Sequence, residues 1–317
     1  MKCVKCEKES VIKLQDGFYC KDHFIKYFEK KVLKTIKKYK LFNQKDYVCV
    51  AVSGGKDSLT MLNLVSIYCK KQNIKFFALN INEGIDDYRE HSINDLKEFC
   101  EKRDIEYKII SFQDNFSKTL DEIIKISIKK GKKPCTVCGV LRRYLLNYYS
   151  RFFKSTVICV GHNLDDNSQV FLMNVLRNQM EKNFSLGPIT GVFTHDKFIR
   201  RVKPLYFVTE KEVRLYCLLK NINVKFSECP YVSMSFRSKV RDSLNKLEYE
   251  YPGVKNSTVS SFLDFIEKYK DSFKEKYKTE EKDIINKCKI CGEPTSREKC
   301  NTCSLIEELG LELNLKK

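Results

Sequence analysis

The stretch Tyr47-Val48-Cys49-Val50-Ala51-Val52-Ser53-Gly54-Gly55-Lys56-Asp57-Ser58 decides the fold. A run of small and β-branched apolar residues stops at two glycines followed by Lys-Asp-Ser. This is the pattern of a buried strand that delivers a tight turn to a helix N-terminus. Such a turn binds phosphate. Gly54 and Gly55 carry no Cβ, so the backbone can approach an anion, while free N–H groups at the helix start and the Lys56 ammonium supply positive charge between Ser53 and Ser58. A Walker A loop is excluded, because it needs glycine where Val50 stands and Ser or Thr where Asp57 stands.

Outward from this turn, strand and helix alternate. Strands are expected at 47–52, 75–82, 105–112 and 155–160, and helices at 58–71, 90–102, 116–129, 140–153 and 164–182. That order predicts an α/β fold, a parallel sheet with helices on both faces and its ligand at the carboxyl ends of the strands. Leu79 lies near the end of the second strand, where backbone can pair with an adenine edge. The fourth strand ends in Gly161-His162-Asn163-Leu164-Asp165-Asp166. Gly161 allows close approach of a nucleotide, and Asp165 with Asp166 at a helix start can hold a magnesium ion or complement the helix dipole. Beyond residue 182, Ser185–Phe193 is expected as an active-site loop and Phe198–Leu205 as an edge strand. Thr209-Glu210-Lys211-Glu212 is a capping box that opens a helix to Lys220.

The chain has fifteen cysteines. Cys3-x-x-Cys6 with Cys20-x-x-His23 has the spacing of a structural zinc site, and Cys288-x-x-Cys291 with Cys300-x-x-Cys303 that of a four-cysteine zinc ribbon. Cys135-x-x-Cys138, in Gly131–Gly139 and followed by Arg142 and Arg143, has no second pair within zinc-finger range. Its next candidate partner is Cys229, in Glu228-Cys229-Pro230-Tyr231. Three cysteines suit a cubane iron-sulfur cluster with one iron open, a redox dithiol with Cys229 as sulfur carrier, or a third zinc site completed by a distant ligand, and spacing does not choose among them. Cys49, Cys69, Cys100, Cys159 and Cys217 fall in apolar strands or helices and read as packing residues.

Composition adds a partner. At 317 residues the chain can bury a sizeable core, and 59 Lys plus Arg against 41 Asp plus Glu give a net charge of +18, which points to a polyanion. Basic residues at Arg237, Lys239, Arg241 and Lys246 interleave with apolar ones over 235–247, as expected of nucleic-acid backbone contacts. The first residues carry no apolar signal core and no apolar run is of membrane-spanning length, so a cytoplasmic protein without membrane partners is expected. The expected organisation is a zinc finger at 1–24, a basic linker helix at 25–46, a nucleotide-binding catalytic unit at 47–265, a helical linker at 266–287 and the zinc ribbon at 288–317.

Ser-Gly-Gly-Lys-Asp-Ser resembles the PP-loop of ATP pyrophosphatases. Taken with Pro-Cys-Thr-Val-Cys-Gly, Gly-His-Asn-Leu-Asp-Asp, the Cys229 segment and the terminal ligand sets, the whole chain is similar to the tRNA 2-thiouridine synthetases of the TtuA and NcsA type. The resemblance implies a Rossmann-like, adenine nucleotide alpha-hydrolase-like fold. It also implies a [4Fe-4S] cluster on Cys135, Cys138 and Cys229, ATP with Mg2+ on the PP-loop, two Zn2+, and a catalytic basic residue at Arg142, with Arg143 counted among the nucleotide contacts. ATP would adenylate the C2 oxygen of uridine 34 or uridine 54 in tRNA, with Lys56, Asp57, Arg142 and Asp166 at the phosphates, and sulfur would then displace AMP. Sulfide or a ubiquitin-like thiocarboxylate protein are the sulfur donors the resemblance allows, and a homodimer is compatible with it. Two alternatives stay open: a tRNA-binding zinc protein without ATP turnover, and a PP-loop enzyme that uses a cysteine persulfide.

Overall fold

The computed structural model describes residues 1–14, 16–190, 197–226, 228–281 and 286–316, the side chains of 270 and 273–281 excepted. The chain begins with a hairpin, β1 (Ile12–Leu14) and β2 (Gly17–Tyr19), and helix α1 (Lys21–Lys38). Then come β3 (Tyr47–Ala51), α2 (Lys56–Gln72), β4 (Lys75–Asn82), α3 (Arg89–Glu101), β5 (Tyr107–Ser111), α4 (Phe112–Phe116), α5 (Leu120–Lys129), α6 (Pro134–Phe152) and β6 (Val157–Cys159). The second half holds α7 (Leu164–Leu176), β7 (Ile189–Thr190), β8 (Arg200–Val202), α8 (Glu210–Leu219), α9 (Phe236–Glu250), α10 (Val254–Glu281), a hairpin of β9 (Asn286–Lys287) and β10 (Pro294–Thr295), and α11 (Asn301–Leu309).

The main sheet has the order β5-β4-β3-β6-β8-β7. All of its pairs are parallel except β7 with β8. Val48, Cys49 and Val50 of β3 are all fully buried, as befits a central strand covered on both faces. Their side chains alternate between two cores. Val48 and Val50 join Leu59 and Leu62 of α2, Phe28 and Val32 of α1, and Tyr216 of α8. Cys49 joins Phe77 of β4, Ile123 of α5, Leu141 and Leu145 of α6, and Ile306 of α11. Strand order reverses between β3 and β6, so the crevice at their carboxyl ends is the topological switch point, where open sheets of this kind bind ligands.

Several elements differ from the sequence expectation. The helix expected at 116–129 starts only at Leu120, where Thr119 opens α5 with a capping box, and the short α4 precedes it from Phe112, the last residue of the expected strand; Ser117, left-handed (φ 56°), separates the two. Helix α6 begins at Pro134, well before residue 140, so Cys135 and Cys138 stand in its first turns; proline at the first helical position costs nothing, since that N–H has no partner anyway. Helix α7 ends at Leu176, followed by a 3-10 segment at Met180–Ser185. The edge strand is β7, inside the expected loop, and β8 is interior, because β7 covers it antiparallel. Residues 191–193 of that loop and 282–285 of the expected linker helix lie outside the described residues.

Helix α1 starts at Lys21 and sinks Phe24, Phe28, Val32 and Ile36 into the main core; its lysines stay outside except Lys31, which is partly buried and pairs with Glu212 of α8 (2.9 Å). The five cysteines read as packing residues are each 0% exposed. No helix among the described residues is long and apolar enough to cross a membrane.

Candidate active site

Residues 53–58 form a closed turn. Ser58 Oγ donates to the Gly55 carbonyl (2.9 Å) and accepts the Ser53 N–H (3.2 Å), which pins the loop to the first turn of α2. Gly54 has φ +83°, and a Cβ there would sit 2.1 Å from the Ser92 carbonyl oxygen, so no other residue fits. Gly161, at the end of β6, has the Ser58 backbone 3.3 Å from the place of its missing Cβ, which brings the two strand ends together.

A cavity of about 430 Å³ opens here, in the size range of small-molecule sites. The loop residues Ser53, Asp57 and Ser58, with Gly161, form one wall, and Leu79, Ile81, Leu146 and Val160 make an apolar patch. Leu79 lines the cavity as expected from its position, but its carbonyl already accepts the Val52 N–H (2.9 Å). Lys56 Nζ lies 2.9 Å from Asp57 and 2.8 Å from Glu210 of α8. Burial alone would lower its pKa, but these two carboxylates outweigh that and hold it well above the ordinary lysine range. Asp57 accepts the Asn163 amide (2.9 Å), and burial, with Asp166 nearby, raises its carboxyl.

The two acids at the start of α7 part company. Asp166 faces the cavity, accepts the Asn163 N–H (3.0 Å) in a capping box and pairs with Arg237 of α9 (2.6 Å). Asp165 turns away: it is buried, pairs with Lys255 of α10 and accepts the Glu210 N–H (2.7 Å), so the structure does not bring it to the phosphate loop. Arg241 of α9 pairs with Glu228 (2.7 Å), so both arginines expected to meet a nucleic-acid backbone are engaged within the chain, which leaves Lys239 and Lys246 exposed.

Two residues absent from the sequence reading join the halves of the site. Glu83, just past β4, is 1% exposed; its carboxylate contacts Arg89 and accepts from Arg142 Nη1 (3.1 Å). Arg89 Nη1 donates in turn to the Ser53 carbonyl (2.7 Å). Phosphate loop and α6 are thus tied through one buried carboxylate. Arg142 lines the cavity, and its charge opposes the burial that pushes the Cys138 thiol up to about 11. Cys138 and Cys229 each sense another thiol of the trio, and Cys135 Sγ lies 3.6 Å from the Tyr231 carbonyl. Position alone could have flagged Glu83 and Arg89, since both follow the carboxyl end of a parallel strand. His162 also lines the cavity, where it is open to solvent; desolvation by the walls lowers its pKa, the Asp166 charge opposes that, and Lys203 and Arg237 add to the lowering.

At the termini two ligand sets converge, each with its ligand atoms within 4.8 Å of one another: Cys3, Cys6, Cys20 and His23, and Cys288, Cys291, Cys300 and Cys303. His23 Nδ1 stands 3.5 Å from Cys3 Sγ and 3.4 Å from Cys20 Sγ, and Cys291 and Cys300 are 3.7 Å apart. Among the described residues the trio Cys135, Cys138 and Cys229 is not gathered to that degree.

Residues 25–248 match the PP-loop domain family. The tRNA-5-methyluridine(54) 2-sulfurtransferase of Pyrococcus horikoshii is 35% identical over 318 residues, covering 100% of this chain and 96% of the relative. The chain belongs to the PP-loop family of tRNA 2-thiolation proteins. Other members bear this out: the tRNA 2-thiolation protein NcsA of Haloferax volcanii is 31% identical, with 98% of this chain and 99% of the relative covered. Among solved structures, the U34-tRNA thiolase NcsA of Methanococcus maripaludis with its [4Fe-4S] cluster superposes with a TM-score of 0.82 at 37% identity, covering 100% of this chain and 99% of that one. Family membership accounts for the turn at 53–58 and for the parallel sheet around it.

Proposed function

We propose that this protein is an ATP-dependent tRNA 2-sulfurtransferase. The observation that carries the reading is the buried Glu83, whose two arginine partners reach the phosphate loop at Ser53 on one side and the Cys138 neighbourhood on the other. Uracil C2 is a poor electrophile because its oxygen is a poor leaving group. Its oxygen attacks the α-phosphorus of ATP, the bond to pyrophosphate breaks, and sulfur then forms the C2–S bond as AMP leaves with the oxygen. Ser53, Gly54, Gly55, Ser58 and the N-terminus of α2 hold the pyrophosphate, with Lys56 released from Glu210 to meet it. Arg142 bridges to the α-phosphate, and Asp57 and Asp166, the acids that face the cavity, would hold Mg2+, which would offset phosphate charge there.

The thiols of Cys135, Cys138 and Cys229, partly open and beside Arg142, are a fitting donor set for the cluster named for the Methanococcus maripaludis relative. When bound there, such a cluster offers one iron not held by cysteine to an exogenous sulfur. Arg142 would hold the activated base beside it, so the gain is one of orientation. The four-ligand sets at 1–24 and 288–317 suit Zn2+ and flank the catalytic unit at 47–265 through the stretches 25–46 and 266–287. A cytoplasmic location fits a tRNA substrate.

The test is AMP and pyrophosphate release together with thiouridine formation on purified tRNA, using sulfide and a ubiquitin-like thiocarboxylate protein as alternative donors and mass spectrometry to distinguish uridine 34 from uridine 54. Binding of tRNA with no AMP release sinks the proposal, and gel filtration reports whether two chains associate.

A further inference from the structure

The cavity has a second cationic end that the scheme above leaves unused. Arg143 of α6, Arg201 of β8 and Lys203 just beyond it all line the cavity. Arg201 and Lys203 are two apart on an extended segment and so share a face, while Val202 between them is buried in the core. Among the described residues none of the three makes an ion pair. Arg201 donates to the Arg143 carbonyl (3.3 Å), and Lys203, only 6% exposed, donates to the amide oxygen of Asn167 (2.9 Å). The Arg143 guanidinium folds back over Gly139, where a Cβ would meet Nη1 at 3.0 Å, which turns it toward Cys138. Burial lowers the Arg201 pKa to about 10, with the Arg143 charge adding to it, and burial lowers Lys203 to about 8. Asp166 is the one carboxylate whose charge reaches Lys203, and it is already paired with Arg237; Arg143 and Arg201 sense none, and such a cluster is costly to keep unless an anion offsets it.

That anion is not the triphosphate. β8 lies two strands from β3, about 10 Å away at the usual strand spacing. ATP carries all of its charge at the end held by the loop, and the nucleoside that extends from it is neutral. A second anion in the same cavity must come with the second substrate. We propose that Arg143, Arg201 and Lys203 form a clamp for a backbone phosphodiester next to the reacting nucleotide of tRNA, which fixes how far the base enters between the phosphate loop and Cys138.

The proposal rests on the tRNA reading, and binding without turnover tests it separately from chemistry. Full-length wild type, Arg143→Gln, Arg201→Gln, the double variant and Arg201→Lys are titrated with an unmodified tRNA transcript at several salt concentrations, and with ATP alone. The double variant should bind tRNA at least about tenfold more weakly, with the slope of log K against log salt reduced by about 0.7–0.9 for each contact removed. The ATP affinity of Arg201→Gln should stay within twofold, and Arg201→Lys should keep most of the tRNA affinity. Weaker ATP binding with unchanged tRNA binding overturns the clamp and gives these residues to the nucleotide. Unchanged binding of both overturns it as well, and so does an equal loss of both with a lowered melting temperature, which would make the residues structural. A wild type that binds no tRNA fails the functional reading instead, before any variant is compared.

Discussion

Replacing Glu83 by glutamine keeps its shape and removes one charge from a buried triad. Its carboxylate is 1% exposed, the Arg89 side chain 6% and the Arg142 side chain 47%. Arg142 can turn to solvent, so its share of the loss is that of a surface pair, under about 1 kcal/mol. Arg89 cannot. It is left as a buried cation whose remaining partner is the Ser53 carbonyl, and breaking such a pair costs about 3–5 kcal/mol. The amide oxygen still accepts one hydrogen bond, which puts the expected loss near 3 kcal/mol, or about 5 °C in melting temperature for a chain of this size. Loosening Arg89 also frees the first residue of the phosphate loop, and misplacement by about 1 Å can cost about a hundredfold in rate, so AMP release should fall between tenfold and a hundredfold. Thermal melts and an AMP-release assay measure both. Glu83→Gln with Arg89→Met should melt higher than Glu83→Gln alone, because an apolar replacement of the whole pair leaves no orphan charge. A single variant that melts within 1 °C of wild type, with unaltered AMP release, refutes the strut.

Cys135→Ala, Cys138→Ala and Cys229→Ala should each abolish thiouridine formation without lowering the melting temperature, since all three thiols are at least partly open to solvent; full activity in any one of them removes the cluster from the scheme. Gly54→Ala should lose ATP-dependent AMP release and at least about 2 kcal/mol of stability from backbone strain and the clash with Ser92, whereas Gly55→Ala, whose added Cβ would meet nothing nearer than 3.7 Å in the protein, should keep its melting temperature; equal destabilisation of the two in melts contradicts the loop geometry. Lys203 has its pKa lowered from 10.5 to about 8, so its burden on the fold is present in full below pH 8, and stability rises as pH climbs from 8 to 10.5 because the unfolded chain still holds the proton. That burden is about 3 kcal/mol, less about 1 for the hydrogen bond to Asn167. Lys203→Met should therefore gain about 2 kcal/mol in urea melts at pH 7 and lose that advantage near pH 10.5; a gain independent of pH counts against a buried charged lysine.

The sheet was legible because β3 alternates between two cores and breaks off at glycines, a local signal that needs no partner to read. The terminal ligand sets were legible for the same reason, each being contained within a short span of chain. Asp165 shows where such reading stops. Its neighbour Asp166 is identical in type and stands at the same helix start, but Lys255 on α10 takes one and leaves the other to the cavity, and nothing between residues 161 and 166 encodes that choice. Arg237 is the same case in reverse, since a basic residue on an exposed-looking helix turns inward because Asp166 and Gln169 wait for it. Glu83 carries no motif; its meaning comes from two arginines, one six and the other 59 positions along the chain.

The three cysteine groups differ in a way that bears on what each can do. At both ends four ligand atoms close to within 4.8 Å, so an ion there would be fully enclosed and would add order without reactivity. The N-terminal ligand His23 stands in the first turn of α1, whose Phe28 stacks on Tyr216 of α8, and α8 supplies Glu210 to Lys56. At the other end α11 packs against α6, the helix that carries Cys135, Cys138 and Arg142. An ion in either closed set would thus brace a helix that leads to one half of the candidate site. The central trio has three donors and a cationic neighbour, and a cluster held there, as proposed above, would keep one coordination position for chemistry. If the proposed scheme holds, an incomplete ligand set kept against a phosphate loop would gain from complete sets that brace the two supporting helices.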